Sequence, residues 1–93
     1  MVRYFVTISD KAKKDLSLLY KTGDKALIRR ISRLFEELGE HPYDGIGKPE
    51  PLKHDLAGLW SRRIDKKHRL VYQVIDQTIT VHVIAAKGHY DDK

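Results

Sequence analysis

The sequence predicts an α+β domain: an N-terminal strand, a hairpin of two antiparallel helices, then a three-stranded antiparallel meander. Three observations lead there. Residues 3–9 alternate with period two, and an apolar stripe with helical spacing runs from Ala12 to Leu38. After residue 58 come three runs rich in β-branched and aromatic residues, separated by connections of hairpin length.

Each element has its own signals. RYFVTIS (3–9) puts Tyr4, Val6 and Ile8 on one face of a strand. Ser9 and Asp10 then offer an N-cap to a helix marked by Ala12, Leu16, Leu19 and Tyr20. Thr22-Gly23-Asp24 breaks it, and Asp24 caps a second helix carrying Leu27, Ile28, Ile31, Leu34, Phe35 and Leu38, with Gly39 as its stop. Helices joined by so short a turn are expected to pack as an antiparallel pair. Residues 40–57 hold all three prolines together with Gly45 and Gly47. This stretch is too long for a mere connection, and long loops in compact domains are functional or disordered.

LWSRRI (59–64), HRLVYQVI (68–75) and TITVHVIAA (78–86) are the meander strands, joined by Asp65-Lys66-Lys67 and by Asp76-Gln77. With the turn at Asp76-Gln77, Arg69 should pair near Ile84. The chain leaving the last strand through Ala86-Lys87-Gly88 should then exit at the end of the sheet where Arg69 sits. His89 and Tyr90 would join the cations of residues 65–67 there. All 93 residues are expected to form one domain, with a single core burying about 60–65% of the surface of the unfolded chain.

Composition narrows the function. There is no cysteine, which removes disulfides and thiolate metal sites. No apolar run resembles a signal peptide or approaches the ~20 residues of a membrane span, so a cytoplasmic protein is the default expectation. The net charge is +5, and residues 48–69 carry +4 of it, with seven Lys or Arg against Glu50, Asp55 and Asp65. An excess that local suits an anionic partner, nucleic acid or acidic protein, and on charge alone suits an ordinary solvated basic surface equally well.

GKPEPLKHDL (47–56) sets Glu50 between two prolines. Lys48 and Glu50 both precede proline, which is expected to hold their backbones extended. A carboxylate presented so stiffly suits a positioned base, although a stiff surface loop explains the same pattern. Arg69, at a strand start, is either a rim ion-pair partner, for instance of Asp65, or a phosphate clamp. His89 is either an ordinary exposed histidine or an acid that gives up its proton near neutral pH. His54, His68 and His82 lack metal-ligand spacing, and His82 reads as structural. Trp60 reads as a core anchor ahead of a base-stacking platform, while Tyr90 either stacks on a base or covers the sheet edge. No glycine-rich nucleotide loop and no serine nucleophile motif is present, and no cofactor or metal is implied.

As a set these residues fit one chemistry. RNA is cleaved without an external nucleophile when its 2′-hydroxyl attacks the adjacent phosphate. That step needs a base for the hydroxyl proton, a cation on the phosphorane and an acid for the departing 5′-oxygen. Glu50, Arg69 and His89 supply one of each.

GIGKPEPLKHDLAGLWSRRI, HRLVY and the terminal GHY closely resemble the Txe/YoeB family of bacterial toxin ribonucleases, in the wider RelE/ParE group. The likeness spans nearly the whole chain, from ISDKAKKDL onward, and its KPEPLKH and WSRRI blocks are long and specific. The resemblance implies a RelE-like fold with a microbial-RNase-type sheet. It also implies a ribosome-dependent endoribonuclease that cuts translated mRNA, a YefM-type antitoxin partner, and the homodimer found in many members. In that comparison Glu50 is the general base, Arg69 the phosphate-stabilising residue, and His89 the general acid with Tyr90 beside it. Lys53, His54 and Arg63 match further active-site or RNA-contacting positions, and Lys66 and Lys67 are expected to add contacts to mRNA or ribosomal RNA.

The chain departs from the family's usual ending by continuing past His-Tyr with Asp91-Asp92-Lys93, two carboxylates expected to weaken RNA binding modestly. Two rivals share the scaffold. A ParE-like gyrase poison needs no acid–base set, so the KPEP and GHY blocks argue against it. A non-catalytic RNA-binding module would tolerate loss of Glu50 and His89 but not of the lysines and arginines.

Overall fold

Ser9 ends the first strand by starting the first helix. Its hydroxyl accepts from the Ala12 amide at 3.0 Å and donates to the Ile84 carbonyl at 2.7 Å, so one side chain caps a helix and ties it to the sheet. The computed structural model, which describes residues 3–88, has strands β1 (Phe5–Ile8), β2 (Glu50–Pro51), β3 (Trp60–Arg63), β4 (His68–Ile75) and β5 (Thr80–Gly88). Its helices are α1 (Asp10–Lys21) and α2 (Lys25–Glu40). Asp24 caps α2 by accepting from the Leu27 amide at 3.1 Å. Among the described residues no helix is long and apolar enough to cross a membrane.

The strands form one sheet in the order β1-β5-β4-β3-β2. The α+β class stands, but the sheet is mixed rather than a plain antiparallel meander. β1 runs parallel to β5, with Val6 opposite Val81; a parallel neighbour needs a long crossover, and here α1, α2 and strands β2 to β4 all lie between the two. The long loop also contributes a strand of its own, with Glu50 opposite Ser61 and Pro51 opposite Trp60. Gly39 does not stop α2. It is buried within the helix, and its carbonyl accepts from the Tyr4 amide at 2.7 Å.

The last hairpin has a different register from the one that Asp76-Gln77 implies. The chain turns through a 3₁₀ segment at Asp76–Thr78 and then through Ile79, which sits at φ +50°. A bulge between Val71 and Tyr72 shifts the pairing further, so Arg69 faces Lys87 rather than Ile84 and His68 faces Gly88. The exit of β5 nevertheless lies at the Arg69 end of the sheet.

Alternation gives the sheet two different faces. Leu70, Tyr72, Val81, Val83 and Ala86 face the helices and pack with Ala12, Leu16, Leu19, Ile31, Leu34 and Leu38. Val71 and Ala85 belong to the other face, where Leu52, Leu56 and Leu59 from the chain after β2 cover them as a small separate cluster. His82, expected to be structural, bonds Thr7 Oγ1 at 2.7 Å across the β1–β5 pair.

At the hairpin end Asp76 ties three segments together, accepting from the Tyr4 hydroxyl at 2.7 Å and the Tyr43 hydroxyl at 2.8 Å. These two bonds hold the Asp76 carboxyl below its ordinary range. Burial and the bond to Asp76 push the Tyr43 phenol up to about 12, and the same carboxylate raises Tyr4. Tyr43 also packs edge-on against Trp60, with ring centroids 5.0 Å apart, which anchors Trp60 at the core margin.

Candidate active site

The expected site residues Glu50, Arg63 and Arg69 share the face of the sheet away from the helices. Ser61, Val71 and Ala85 stand in one row continuing from Glu50, and Arg63 and Arg69 occupy the next row along the strands. Glu50 and Arg69, 19 residues apart, reach across β3 so that Nη1 of the arginine donates to Oε1 of the glutamate at 3.1 Å. The alternative partner for Arg69, Asp65, is engaged elsewhere. Its Oδ1 accepts from the amides of Lys67 and His68 and lies 3.0 Å from His68 Nδ1. Burial raises the Asp65 carboxyl, but the hydrogen bond and charge of the His68 ring and the amides of His68 and Lys67 outweigh it, and the net displacement is downward.

Glu50 owes its position to a scaffold beneath the loop. Arg62, counted by composition among the surface cations, is 0% exposed. Its Nη1 bonds Glu37 at 3.2 Å, its Nε bonds the Tyr72 hydroxyl at 3.2 Å, and its Nη2 donates to the carbonyls of His41 and Asp44. The Tyr72 hydroxyl in turn donates to the Pro42 carbonyl at 2.7 Å, and Glu37 Oε1 accepts from the Ile46 amide at 2.9 Å. Burial pushes the Tyr72 phenol up, although Arg62 opposes the shift. A charge taken fully out of water must be this well partnered. The strand period carried the missed signal, since Trp60, Arg62 and Ile64 all fall on the core side.

From that anchor the chain enters β2 through Gly47, whose carbonyl accepts from the Arg63 amide at 2.7 Å. Gly47 has φ +84°, and a Cβ there would meet the Arg63 carbonyl oxygen at 2.9 Å and Leu34 Cδ2 at 3.1 Å, so the position demands glycine. Lys48 corrects the expectation of an extended backbone. It sits at φ +49°, because the turn out of Gly47 needs a second left-handed residue before Pro49, and Glu50 alone of the two pre-proline residues is extended.

The remaining expected site residues are spread around this pair. Lys53 and His54 are exposed in the turn following β2, with His54 opening a 3₁₀ segment at φ +57°. Arg63 lies directly opposite Arg69 and is exposed. It shares a cavity of 380 Å³ with Lys66 and with Arg30 of α2. Lys66 and Lys67 are exposed in the β3–β4 turn, at the end of the sheet from which Arg69 projects. The structure therefore brings Glu50, Arg63 and Arg69 together and sets four more polar residues near either end of their strands. His89 and Tyr90, like the Asp91-Asp92-Lys93 tail, lie outside the described residues.

Comparison with known proteins fits this arrangement. Residues 9–90 match the YoeB-like toxins of bacterial type II toxin-antitoxin systems. The chain is 47% identical to Toxin YoeB of Synechocystis over 73 residues, 78% of this chain and 83% of that one. It superposes on a YoeB/ParE toxin from Agrobacterium tumefaciens with a TM-score of 0.83 at 36% identity, covering 92% of this chain and 99% of the other. YoeB of Staphylococcus aureus, solved as a dimer, gives a TM-score of 0.78 at 37% identity over 96% of this chain and 100% of that one. The same protein in a YoeB-YefM complex gives 0.76 at 36% identity, with the same coverage of both chains. With the match running through the loop, the Glu50–Arg69 pair and the end of the last strand, the chain belongs to the YoeB-like toxin family of bacterial type II toxin-antitoxin systems.

Proposed function

We propose that this toxin is a ribosome-dependent endoribonuclease that cuts translated mRNA and so arrests translation. The observation that carries the reading is the 3.1 Å contact between Glu50 and Arg69 on the open face of the sheet. A base and a phosphate clamp must both reach one linkage, and these two side chains already share a point in space. The Glu50 side chain is 54% exposed and that of Arg69 24%. An ion pair so open to water contributes about 0–1 kcal/mol, so a phosphate that can accept two parallel bonds from the guanidinium displaces Glu50 at little cost.

In the reaction, Glu50 takes the proton from the 2′-hydroxyl and the new bond forms from O2′ to phosphorus. Arg69 stabilises the charge on the pentavalent phosphorane. The bond from phosphorus to O5′ breaks, and His89, the residue after Gly88, gives its proton to that oxygen. The products are a 2′,3′-cyclic phosphate and a 5′-hydroxyl. Tyr90 accompanies His89, Lys53 and His54 flank the substrate, and Arg63, Lys66 and Lys67 hold the RNA backbone. Residues 1–93 act here as a single toxin domain.

By analogy with the Staphylococcus aureus relative, a YefM-type antitoxin neutralises this chain, and the chain also pairs with its own copy. The cationic excess in residues 48–69 calls for an acidic wrapping segment on the antitoxin. The deciding experiment is induction in a bacterial host with mapping of message ends, for the parent and for Glu50→Gln. Cleavage within translated messages, cyclic or 3′-phosphate ends and silence of the variant are expected. Cleavage by the variant at the parent's rate, or 3′-hydroxyl ends, would overturn the reading.

A further inference from the structure

Ser61 is the residue directly opposite Glu50 in the β2–β3 pair. It is 1% exposed, and its hydroxyl has no hydrogen-bond partner among the described residues. The row it shares continues with Val71 and Ala85, both buried in the small apolar cluster beneath Leu52. A hydroxyl shut among apolar groups without a partner opposes folding, and alanine would fill this place without that penalty. Something other than packing accounts for the hydroxyl.

Of its two cross-strand neighbours, Glu50 and Val71, only Glu50 has a side chain that can accept its proton. Directly opposed side chains on one face have their Cβ atoms about 4.5–5.5 Å apart, a gap that the three side-chain torsions of a glutamate can span. At rest the carboxylate is drawn towards Arg69 through Oε1. Once the guanidinium turns to a phosphate, that contact is gone and the carboxylate needs a new donor to hold its direction.

We propose that Ser61 is a positioning residue for Glu50, its hydroxyl donating to the carboxylate when Arg69 is engaged by the RNA phosphate, so that the free oxygen faces the 2′-hydroxyl. This rests on the reading of Glu50 as the base. Glu50 therefore has two seats, one on Arg69 in the free protein and one on Ser61 in the complex, and the unpaired hydroxyl belongs to the second.

The test is single-turnover cleavage of ribosome-bound message from pH 5 to 9, with Ser61→Ala, Glu50→Gln and the double variant, alongside thermal melts and ribosome affinities. Ser61→Ala should melt no lower than the parent and bind ribosomes equally well. It should cleave about tenfold more slowly or worse, the usual scale for losing a bond to a charged group. The acidic limb of its rate profile should move to higher pH, because the ionised carboxylate has lost a donor. The double variant should be no slower than Glu50→Gln alone, and Ser61→Thr, which keeps the hydroxyl, should recover the limb. An unchanged rate and limb in Ser61→Ala beside an inactive Glu50→Gln overturns the role of Ser61 alone. So does a slower rate with the limb unmoved, which marks a packing effect. Parental cleavage by Glu50→Gln removes the base assignment and this proposal with it.

Discussion

Glu50 Oε1 and Arg69 Nη1 meet at 3.1 Å across an intervening strand, although the two residues are in segments of quite different character, a proline-stiffened two-residue strand and a long central one. A pair this exposed contributes little to stability, so its partners can be changed without unfolding the protein. Glu50→Gln should melt within about 1 kcal/mol of the parent. It should cleave message about 10²- to 10⁴-fold more slowly, the range general-base catalysis supplies. Cleavage kinetics beside a denaturation curve check both halves.

Glu37→Ala should behave in the opposite way. Arg62 keeps its carbonyl partners but loses the carboxylate that Glu37 sets against a fully buried guanidinium, and the Ile46 amide loses its acceptor. Breaking such a pair from one side costs about 3–5 kcal/mol, a large share of what a domain this small has. Equilibrium denaturation should show the loss directly, and cleavage should fall with it as the loop leading to Glu50 loosens.

Gly47→Ala tests the hinge between that anchor and β2. Alanine at φ +84° costs about 1–2 kcal/mol before any clash with the Arg63 carbonyl is counted. The melting temperature should fall, and cleavage should fall further than stability accounts for, because the displaced strand is the one that bears Glu50.

The Asp76 knot has a pH signature. Its carboxyl titrates lower in the folded chain than the ordinary 3.8, so its contribution is present above that value and disappears as pH falls through the folded range. The Tyr43 phenol is displaced upward, so its contribution is present below pH 10 and disappears as pH rises through about 12. Asp76→Asn should therefore melt below the parent at pH 7, with the gap closing at acid pH. A gap that is the same at pH 3 and pH 7 would disprove the linkage.

Lys66→Ala combined with Lys67→Ala should weaken ribosome binding and flatten its salt dependence. Each lost phosphate contact removes about 0.7–0.9 from the slope of log affinity against log salt. Filter binding at several salt concentrations reads the slope.

Local patterns made much of this visible in the sequence. Ser9 and Asp24 cap their helices as their positions require, and His68–Ile75 is a strand over its full predicted length. The family blocks pointed to Glu50 and Arg69, which the fold does bring together. What local pattern could not carry were the long-range choices. The parallel docking of β1 on β5 depends on a free sheet edge, and the Arg69–Lys87 register depends on a bulge that no turn residue announces. Lys48 defied the preference of a residue before proline because Gly47 had already committed the chain to a sharp turn. Arg62 was hidden for a different reason. A charged residue reads as surface unless the alternation around it is followed through to Trp60 and Ile64.

The buried arginine grips the approach to β2 in an unusual manner. Arg62 and Tyr72 hold residues 41–44 by main-chain oxygens, those of His41, Pro42 and Asp44, and by none of their side chains. Such a clasp is indifferent to which amino acids occupy the segment but strict about how many there are. Drift in side-chain identity at 41 and 44 should be harmless, whereas inserting or deleting a single residue would slide the carbonyls out of the guanidinium's reach and take the carboxylate downstream with them.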